Sequence, residues 1–187
     1  MRAYLAGSLT LAFVCSAAAQ QFGSEDLAPY LPSPQAVVER MLEVAQLKQG
    51  ETLYDLGAGD GRIVITAAQK FGANAVGVEI SEALCKSMTR KVTALNLDSQ
   101  IRIIHGNALK VDLTPADVVT LYLLTSSNAR LRPNLEKYLK PTARVVSLDF
   151  GMPGWKASKM ESVKADRQTR TIYLYQMSDR AADSKGK

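Results

Sequence analysis

A glycine-rich turn between an apolar strand and a helical segment is the feature that most constrains the fold of this chain. Residues 55–61 read Asp-Leu-Gly-Ala-Gly-Asp-Gly, after the apolar run Thr52-Leu53-Tyr54 and before Arg62-Ile63-Val64-Ile65. Glycines at alternate positions permit positive φ angles and let a ligand approach the backbone closely. The helix that follows offers unpaired N–H groups and a positive dipole end. The pattern predicts strand, turn and helix around a small polar cofactor.

An acidic residue lies where nucleotide-binding α/β folds grip a ribose. Glu79 ends the next apolar run, Ala75-Val76-Gly77-Val78. A dinucleotide site requires Gly-x-Gly-x-x-Gly, but its third glycine would fall at Arg62. The spacing Asp-x-Gly-x-Gly-x-Gly instead resembles the first motif of class I S-adenosyl-L-methionine (AdoMet) methyltransferases. An ordinary glycine turn without a ligand is the alternative interpretation.

The two ends of AdoMet suit different groups in this motif. Its methionine end carries an amine and a carboxylate, so an acid at the strand end, Asp55, suits the amine. The exposed N–H groups of the loop suit the carboxylate. Glu79 would then bind the ribose hydroxyls.

Apolar runs alternate with helical periodicity along most of the chain, which indicates a parallel sheet with helices on both faces. We predict a Rossmann-like, mostly parallel seven-stranded sheet with a C-terminal antiparallel hairpin, in the class α/β. Ser81 is predicted to cap the helix after strand two, and Pro133 to break or kink a helix at 128–139. The predicted strands are 52–56, 75–79, 101–104, 117–124 and 144–150, with the hairpin at 160–165 and 170–177.

The two ends of the chain differ from its middle. Residues 1–19 have the charged, apolar and small-residue regions of a secretory signal, with a cleavage site after Ala19. A polar, proline-marked linker follows at 20–33, where Ser33 is predicted to cap a helix. The methyltransferase domain is assigned to 34–177 and a polar basic tail to 178–187. We therefore expect an exported or envelope-associated protein, or a cytoplasmic one if the leader is not functional; an exported enzyme would need a source of AdoMet, which is made in the cytosol.

The chain is basic, with a net charge of +5, and much of the excess lies near its C-terminus. Such an end is compatible with peripheral membrane contact and also with simple solvation. Oligomeric state cannot be read from these residues. Cys85, in a helical pattern, is interpreted as a small core residue, and a single histidine is too few for a metal cluster, so no metal is predicted.

Residues that could orient an acceptor follow the fourth predicted strand. Residues 121–128 read Leu-Tyr-Leu-Leu-Thr-Ser-Ser-Asn, in which Tyr122 and Asn128 offer hydroxyl and amide groups. The segment lacks the Asn-Pro-Pro-Tyr and Pro-Cys motifs of enzymes that methylate nucleic-acid bases, so no nucleic-acid partner is expected. Tyr122 could equally be a core aromatic. Asn107 is expected near the adenine amino group, or else in a local turn bond.

Several longer segments resemble one family. Tyr30-Leu31-Pro32-Ser33-Pro34, the turn at 54–65, Val119-Thr120-Leu121-Tyr122-Leu123-Leu124 and Val145-Val146-Ser147-Leu148-Asp149-Phe150 occur in order. Together they are similar to the bacterial and mitochondrial protein-lysine methyltransferases, whose mitochondrial members modify the membrane-ring protein of ATP synthase and the adenine nucleotide translocase. The resemblance implies a protein lysine as the acceptor. Two positions depart from the family pattern, because Asn107 replaces an aspartate and Leu148 a histidine.

The predicted site therefore has two parts. Catalytic roles are assigned to Tyr122, Asn128 and Asp149, which would position a lysine that has lost its proton. The cofactor-binding residues are predicted to be Tyr30, Asp55, Gly57, Ala58, Gly59, Gly61, Glu79 and Asn107. Three other interpretations stay open at this point: a small-molecule N- or O-methyltransferase, a noncatalytic exported module that binds AdoMet or a nucleoside, and a nicotinamide oxidoreductase.

Overall fold

The computed structural model describes residues 27–179, in which helices and strands alternate as predicted. The strands are β1 (Thr52–Leu56), β2 (Asn74–Glu79), β3 (Ile101–His105), β4 (Val118–Leu121), β5 (Arg144–Leu148), β6 (Lys159–Ala165) and β7 (Gln168–Gln176). The helices are α1 (Gln35–Val44), α2 (Arg62–Phe71), α3 (Glu82–Ala94) and α4 (Thr125–Tyr138), with a 3-10 turn at Ala108–Lys110. The predicted signal peptide, linker residues 20–26 and tail residues 180–187 lie outside the described residues.

The seven strands form one sheet in the order β3-β2-β1-β4-β5-β7-β6. Strands β1 to β5 run parallel, and β7 pairs antiparallel with both β5 and β6. The predicted fold class, with its C-terminal hairpin, is confirmed. Insertion of β7 beside β5 brings the start of β7 to the edge of the sheet where the parallel strands end.

Alternation along each strand divides the core into two layers. Leu53 of β1 packs with α1, α2 and α3 on one face, whereas Tyr54 and Leu56 pack with α4 on the other. All four residues of β4 are buried, as expected for a parallel strand covered on both sides. Helices therefore cover both faces, and the carboxyl ends of the central strands stay open for a ligand.

Helix α4 differs from its prediction at both the start and Pro133. It begins at Thr125 and continues through Pro133 without a break, although the proline ring removes one backbone donor. Strand β4 correspondingly ends at Leu121 rather than Leu124. The polar residues that suggested a later start direct their side chains to other elements: Ser127 bonds to Leu27 O, and Asn128 donates to Phe150 O.

The predicted cap at Ser33 is wrong, whereas the one at Ser81 is confirmed. Pro34 occupies the capping position of α1, and no side chain there bonds to the first turn. Ser33 is buried, and its carbonyl oxygen accepts a hydrogen bond from Arg62 instead. Ser81, by contrast, accepts from Leu84 N at the start of α3. The Ser33 pattern thus served a contact with α2 rather than the start of its own helix.

No helix within 27–179 combines the length and apolar character needed to cross a bilayer. Cys85 is buried in α3, which confirms its prediction as a core residue.

Candidate active site

The glycine turn is tied to β2 by backbone hydrogen bonds. Gly57 N and Ala58 N both donate to Val78 O at 2.9 Å. A Cβ on Gly59, which has φ +56°, would lie 2.8 Å from a ring carbon of Tyr30. This position therefore requires glycine both for its backbone angle and for the approach of the tyrosine ring. The turn is consequently held in a fixed shape at the carboxyl ends of β1 and β2.

Asp55 is the buried acid at this turn. It is 3% exposed, and its Oδ1 accepts a hydrogen bond from Thr120 Oγ1 at 2.8 Å. Burial raises the pKa of Asp55 to about 7, repulsion from Glu79 and Asp60 adds to the rise, and the Thr120 bond opposes it. A carboxyl whose charge is costly in the free protein would be ionised by a cationic ligand group placed beside it.

Glu79 joins the turn to α3. Its Oε2 accepts from Gly59 N and its Oε1 from Ser81 N, both at 2.8 Å. Each carboxylate oxygen has a further lone pair that can accept from a hydroxyl. Glu79 is thus fixed by the backbone and still able to bind a ligand with a diol.

Asn107 begins the 3-10 turn after β3. Its Oδ1 accepts a hydrogen bond from Leu109 N at 2.9 Å, so the local turn bond that the sequence offered as an alternative is present. A carbonyl oxygen has a second lone pair, which leaves it able to accept from an adenine amine as well. The side chain lines the same cavity as Asp55 and Glu79.

A segment before α1 closes one side of the cavity. We call residues 27–34 the strap. Its first carbonyl, Leu27 O, accepts from Ser127 Oγ, and its Ser33 O accepts from Arg62 Nη1. Arg62 is itself paired with Asp60 at 2.9 Å. The part of the predicted linker that the structure describes is therefore bonded to α2 and α4 and lines the cavity.

Asp60 fixes both the strap and α3. Besides Arg62, it binds Lys91 Nζ at 2.9 Å. Burial works to raise the pKa of Asp60, but the hydrogen bonds and charges of Arg62 and Lys91 hold it well below its usual range. Asp60 is therefore a permanent anion that anchors two cations rather than a titrating group.

These elements surround a cavity of about 300 Å³, a size that suits a small ligand. All of the predicted cofactor-binding residues except Gly61 line it. Gly61 instead faces α3, where an added Cβ would lie 2.5 Å from Met88 Cγ. Leu123 and Ser81 also line the cavity, without having been predicted. The structure thus brings together residues from the strap, β1, β2 and the turn after β3.

Of the three predicted catalytic residues, Tyr122 alone lines the cavity. Its hydroxyl oxygen accepts a hydrogen bond from Arg170 Nη1 at 2.9 Å, and the same nitrogen binds Asp149 Oδ2 at 2.5 Å. The other carboxylate oxygen of Asp149 accepts from Thr171 N at 3.0 Å. Asp149 therefore contacts Arg170 and β7, and reaches the cavity wall only through the guanidinium.

Asn128 lies deeper. It is fully buried, and its Nδ2 donates to Phe150 O at 2.9 Å. The ring of Phe150 stacks on that of Tyr122, with centroids 6.5 Å apart. Within residues 27–179, Asn128 Oδ1 has no hydrogen-bond partner, which costs stability. Its position indicates that Asn128 supports the aromatic wall from below.

Arg170 and Arg62 are the residues that the sequence analysis missed. Arg62 could have been found from Asp60 two positions earlier, since the two form an ion pair across the turn. Arg170 begins the second run of the predicted hairpin, and an antiparallel partner of β5 must start where β5 ends. Within the described part of the chain, no cluster of three or more histidines, cysteines or carboxylates is placed to hold a metal ion.

Comparison with known proteins gives this geometry a family. Residues 55–159 match the family described as the ANTKMT methyltransferase domain. The chain belongs to this family. The predicted resemblance is thereby confirmed, and the interpretation as a nicotinamide oxidoreductase is excluded.

Three relatives of this methyltransferase differ in what their names state. A protein-lysine N-methyltransferase of Saccharolobus islandicus is 44% identical, covering 79% of this chain and 92% of its own. A Caenorhabditis elegans enzyme, named as a lysine N-methyltransferase of the C-type subunit of ATP synthase, is 31% identical, over 84% of this chain and 86% of its own. A solved structure of an RNA methyltransferase from Salinibacter ruber, in complex with S-adenosyl-L-homocysteine, is 40% identical, with a TM-score of 0.73 over 79% of this chain and 94% of that one. The cofactor predicted from the sequence agrees with that complex.

Proposed function

We propose that this methyltransferase transfers a methyl group from AdoMet to the side-chain amine of a protein lysine. The observation that carries the proposal is the cavity at the ends of β1 and β2, where Asp55, Glu79 and the glycine turn converge. The family match and the names of the two lysine-methylating relatives support the choice of acceptor.

The cofactor residues divide between the two ends of the proposed ligand. Asp55, buried and with a raised pKa, suits the methionine ammonium, which would restore its charge. Glu79 suits the ribose hydroxyls, because its carboxylate is already aimed by Gly59 N and Ser81 N. Asn107 suits the adenine amine, and Tyr30 covers the turn from the strap.

The acceptor is proposed to enter beside Tyr122, on the side of the cavity nearest β4 and β5. When bound, AdoMet supplies a methyl group on a sulfonium, and the lysine nitrogen displaces the neutral thioether from it. The protein has to align that nitrogen, exclude water and receive the amine in its neutral form. With an ordinary pKa of about 10.4, roughly one lysine in 2,500 is neutral at pH 7. Control of that proton is therefore a large part of the catalytic task.

A labelled-methyl assay distinguishes the proposed acceptor from others. Purified protein is incubated with methyl-tritiated AdoMet and, in parallel, with total protein and total RNA from the same cells. We expect label in methyl-lysine after acid hydrolysis of the protein fraction. Label in methylated nucleosides alone would contradict the lysine assignment. AdoMet binding without transfer to either fraction would favour a small-molecule acceptor or a noncatalytic module.

RNA is the second candidate acceptor, because the 40% identical solved relative is titled an RNA methyltransferase. Residues 121–128 of this chain, Leu-Tyr-Leu-Leu-Thr-Ser-Ser-Asn, do not contain the Asn-Pro-Pro-Tyr motif of enzymes that methylate exocyclic amines of bases. That difference favours the protein acceptor, and the parallel RNA arm of the assay tests it.

The location of the enzyme is a separate proposal. The N-terminal charge, apolar run and small residues up to Ala19 support export or envelope association. Mass spectrometry of the protein from its native cells would locate the mature N-terminus. A terminus at Gln20 would agree with export, whereas a retained leader on protein from the cytosolic fraction would favour a cytoplasmic enzyme.

A further inference from the structure

Arg170 connects the two predicted catalytic residues that carry ionisable groups. Its Nη1 donates to Tyr122 Oη at 2.9 Å and to Asp149 Oδ2 at 2.5 Å. The guanidinium also lies over the Tyr122 ring, with its central carbon 5.7 Å from the centroid. Its side chain is 16% exposed, so this cation is held largely out of water at the wall of the cavity.

The carboxylate of Asp149 is fully engaged by these contacts. Arg170 binds one oxygen, and Thr171 N donates to the other. Asp149 adopts φ +59°, a left-handed conformation that aspartate tolerates better than most residues, and Asp149 N donates to Thr171 O at 2.7 Å. The backbone and β7 thus fix the carboxylate against the guanidinium, and Asp149 is not free to pair with a lysine ammonium.

Tyr122 is limited in a related way. Because its oxygen accepts from a cation, it is a poor partner for a second cation but can still accept an N–H from a neutral amine. The acceptor side of the cavity therefore offers a hydrogen-bond acceptor without an unbalanced negative charge. A lysine ammonium would lose its hydration there and gain no counter-ion.

We propose, on the basis of the lysine acceptor proposed above, that Arg170 is a positioning residue that makes the site select the neutral amine of lysine. The ammonium gives up its proton to water before the side chain is seated, and Tyr122 then orients the nitrogen. Arg170 acts by neutralising Asp149 and need not touch the methyl group.

The surrounding ionisable groups are consistent with this role. Tyr122 and Asp149 raise the pKa of Arg170 although burial works to lower it, so the guanidinium stays charged. Its partner on β6 is Val163, which carries no charge. Asp55, Glu79 and Tyr30 also face the cavity, but from the cofactor side.

A charge cycle with four variants tests the inference. Arg170→Gln leaves Asp149 without its counter-charge, so lysine should bind as the ammonium. In a profile of kcat against pH, with a peptide that contains a single lysine, the apparent pKa of the bound complex should then rise by about one unit or more. KM for the peptide at pH 7 should fall or stay constant while kcat falls.

The companion variants separate charge from structure. Arg170→Lys keeps the cation and should keep the wild-type profile. Asp149→Asn adds net positive charge and should move the profile to lower pH with a higher KM. The double variant Arg170→Gln/Asp149→Asn should return the apparent pKa to near the wild-type value. Arg167→Gln, at an exposed arginine of the same hairpin, is the matched control and should behave as wild type.

Proton release provides a readout that does not require turnover. Calorimetry of the same peptide with the S-adenosyl-L-homocysteine complex, in two buffers of different ionisation enthalpy, should show about one proton released per wild-type site at pH 8. Arg170→Gln should release clearly less than one. If all variants shared one apparent pKa and one proton count and differed only in rate, Arg170 would be merely structural. Absence of methyl-lysine with the wild-type enzyme would count against the proposed acceptor, and the calorimetric result would still decide the role of Arg170.

Discussion

The cofactor side and the acceptor side of the cavity are held by different kinds of bonds. On the cofactor side, carboxylates accept from backbone N–H groups of nearby turns, as Glu79 does from Gly59 and Ser81. On the acceptor side, side chains bond mainly to one another across distant segments, as Arg170 does to Tyr122 and Asp149. The first arrangement fixes a shape that suits one ligand, whereas the second balances charges and can be changed by single substitutions.

The largest effect is expected from Asp55→Asn. The carboxamide keeps the size of the side chain but cannot offer a charge to the methionine ammonium, so AdoMet affinity should fall by roughly 100-fold. Isothermal calorimetry at pH 7.5 measures it. Asp98→Asn, at an exposed acid after α3, is the control and should bind as wild type. Equal affinity of wild type and Asp55→Asn would remove Asp55 from the cofactor site.

The raised pKa of Asp55 predicts a pH dependence on the cofactor side. Binding of a cation favours the ionised carboxyl, so AdoMet affinity should rise by about tenfold from pH 5.5 to pH 7 and then level off. Above about pH 7.7 the methionine amine itself loses its proton, and affinity should decline. The rise below pH 7 should be absent in Asp55→Asn. A wild-type affinity that is constant across this range would contradict the assignment.

The same pKa predicts how the stability of the free protein varies with pH. The folded-state pKa of about 7 lies above the unfolded value of 3.8, so between these values the folded state binds more protons. The free energy of unfolding should therefore fall as pH rises from about 4 to 7 through this group. Urea unfolding of wild type and Asp55→Asn at pH 5 and pH 7 measures the difference. Saturating AdoMet should reduce it.

Two asparagines on α4 separate the sides of the cavity. Asn128 donates to Phe150 O on the acceptor side, and Asn134 donates to Leu109 O, next to Asn107, on the cofactor side. Asn128→Ala should raise the peptide KM by about fivefold and lower the free energy of unfolding by about 1–3 kcal/mol, with AdoMet affinity unchanged. Steady-state kinetics and urea unfolding measure these quantities. An effect on AdoMet affinity alone would place Asn128 on the wrong side.

The smallest effect is expected from Asn134→Ala. Asn134 is partly exposed, and its loss should weaken AdoMet binding by only about twofold, with the peptide KM unchanged. Calorimetry and kinetics on the two alanine variants together give the comparison. If both variants changed the same parameter, the cavity would behave as one coupled unit rather than two sides.

The cofactor side could be predicted because its bonds are short in sequence. Asp55, the glycines and Glu79 lie within one strand-turn-helix-strand unit, and each residue type has a direct physical role at its position. The strap was harder to recognise. Its prolines gave residues 27–33 the appearance of a linker, and only the bonds of Leu27 O to Ser127 and Ser33 O to Arg62 reveal that it belongs to the domain.

The acceptor side could be located but not understood from the sequence. Tyr122 and Asp149 were placed correctly near strand ends, but the cation between them comes from β7, 48 positions after Tyr122. Local patterns do not specify which side chains meet across such a separation. Asn128 illustrates the same limit, since its side chain reads as a surface amide and is fully buried against the loop after β5.

The late position of β7 in the chain has a consequence for biosynthesis. Ribosomes make proteins from the N-terminus, so every strand that borders the nucleoside pocket emerges before Arg170 and Thr171 do. A nascent polypeptide could hold its cofactor while the wall that discriminates among acceptors is still missing. Insertion of β7 between β5 and β6 would then be the event that turns a binder into a selective catalyst.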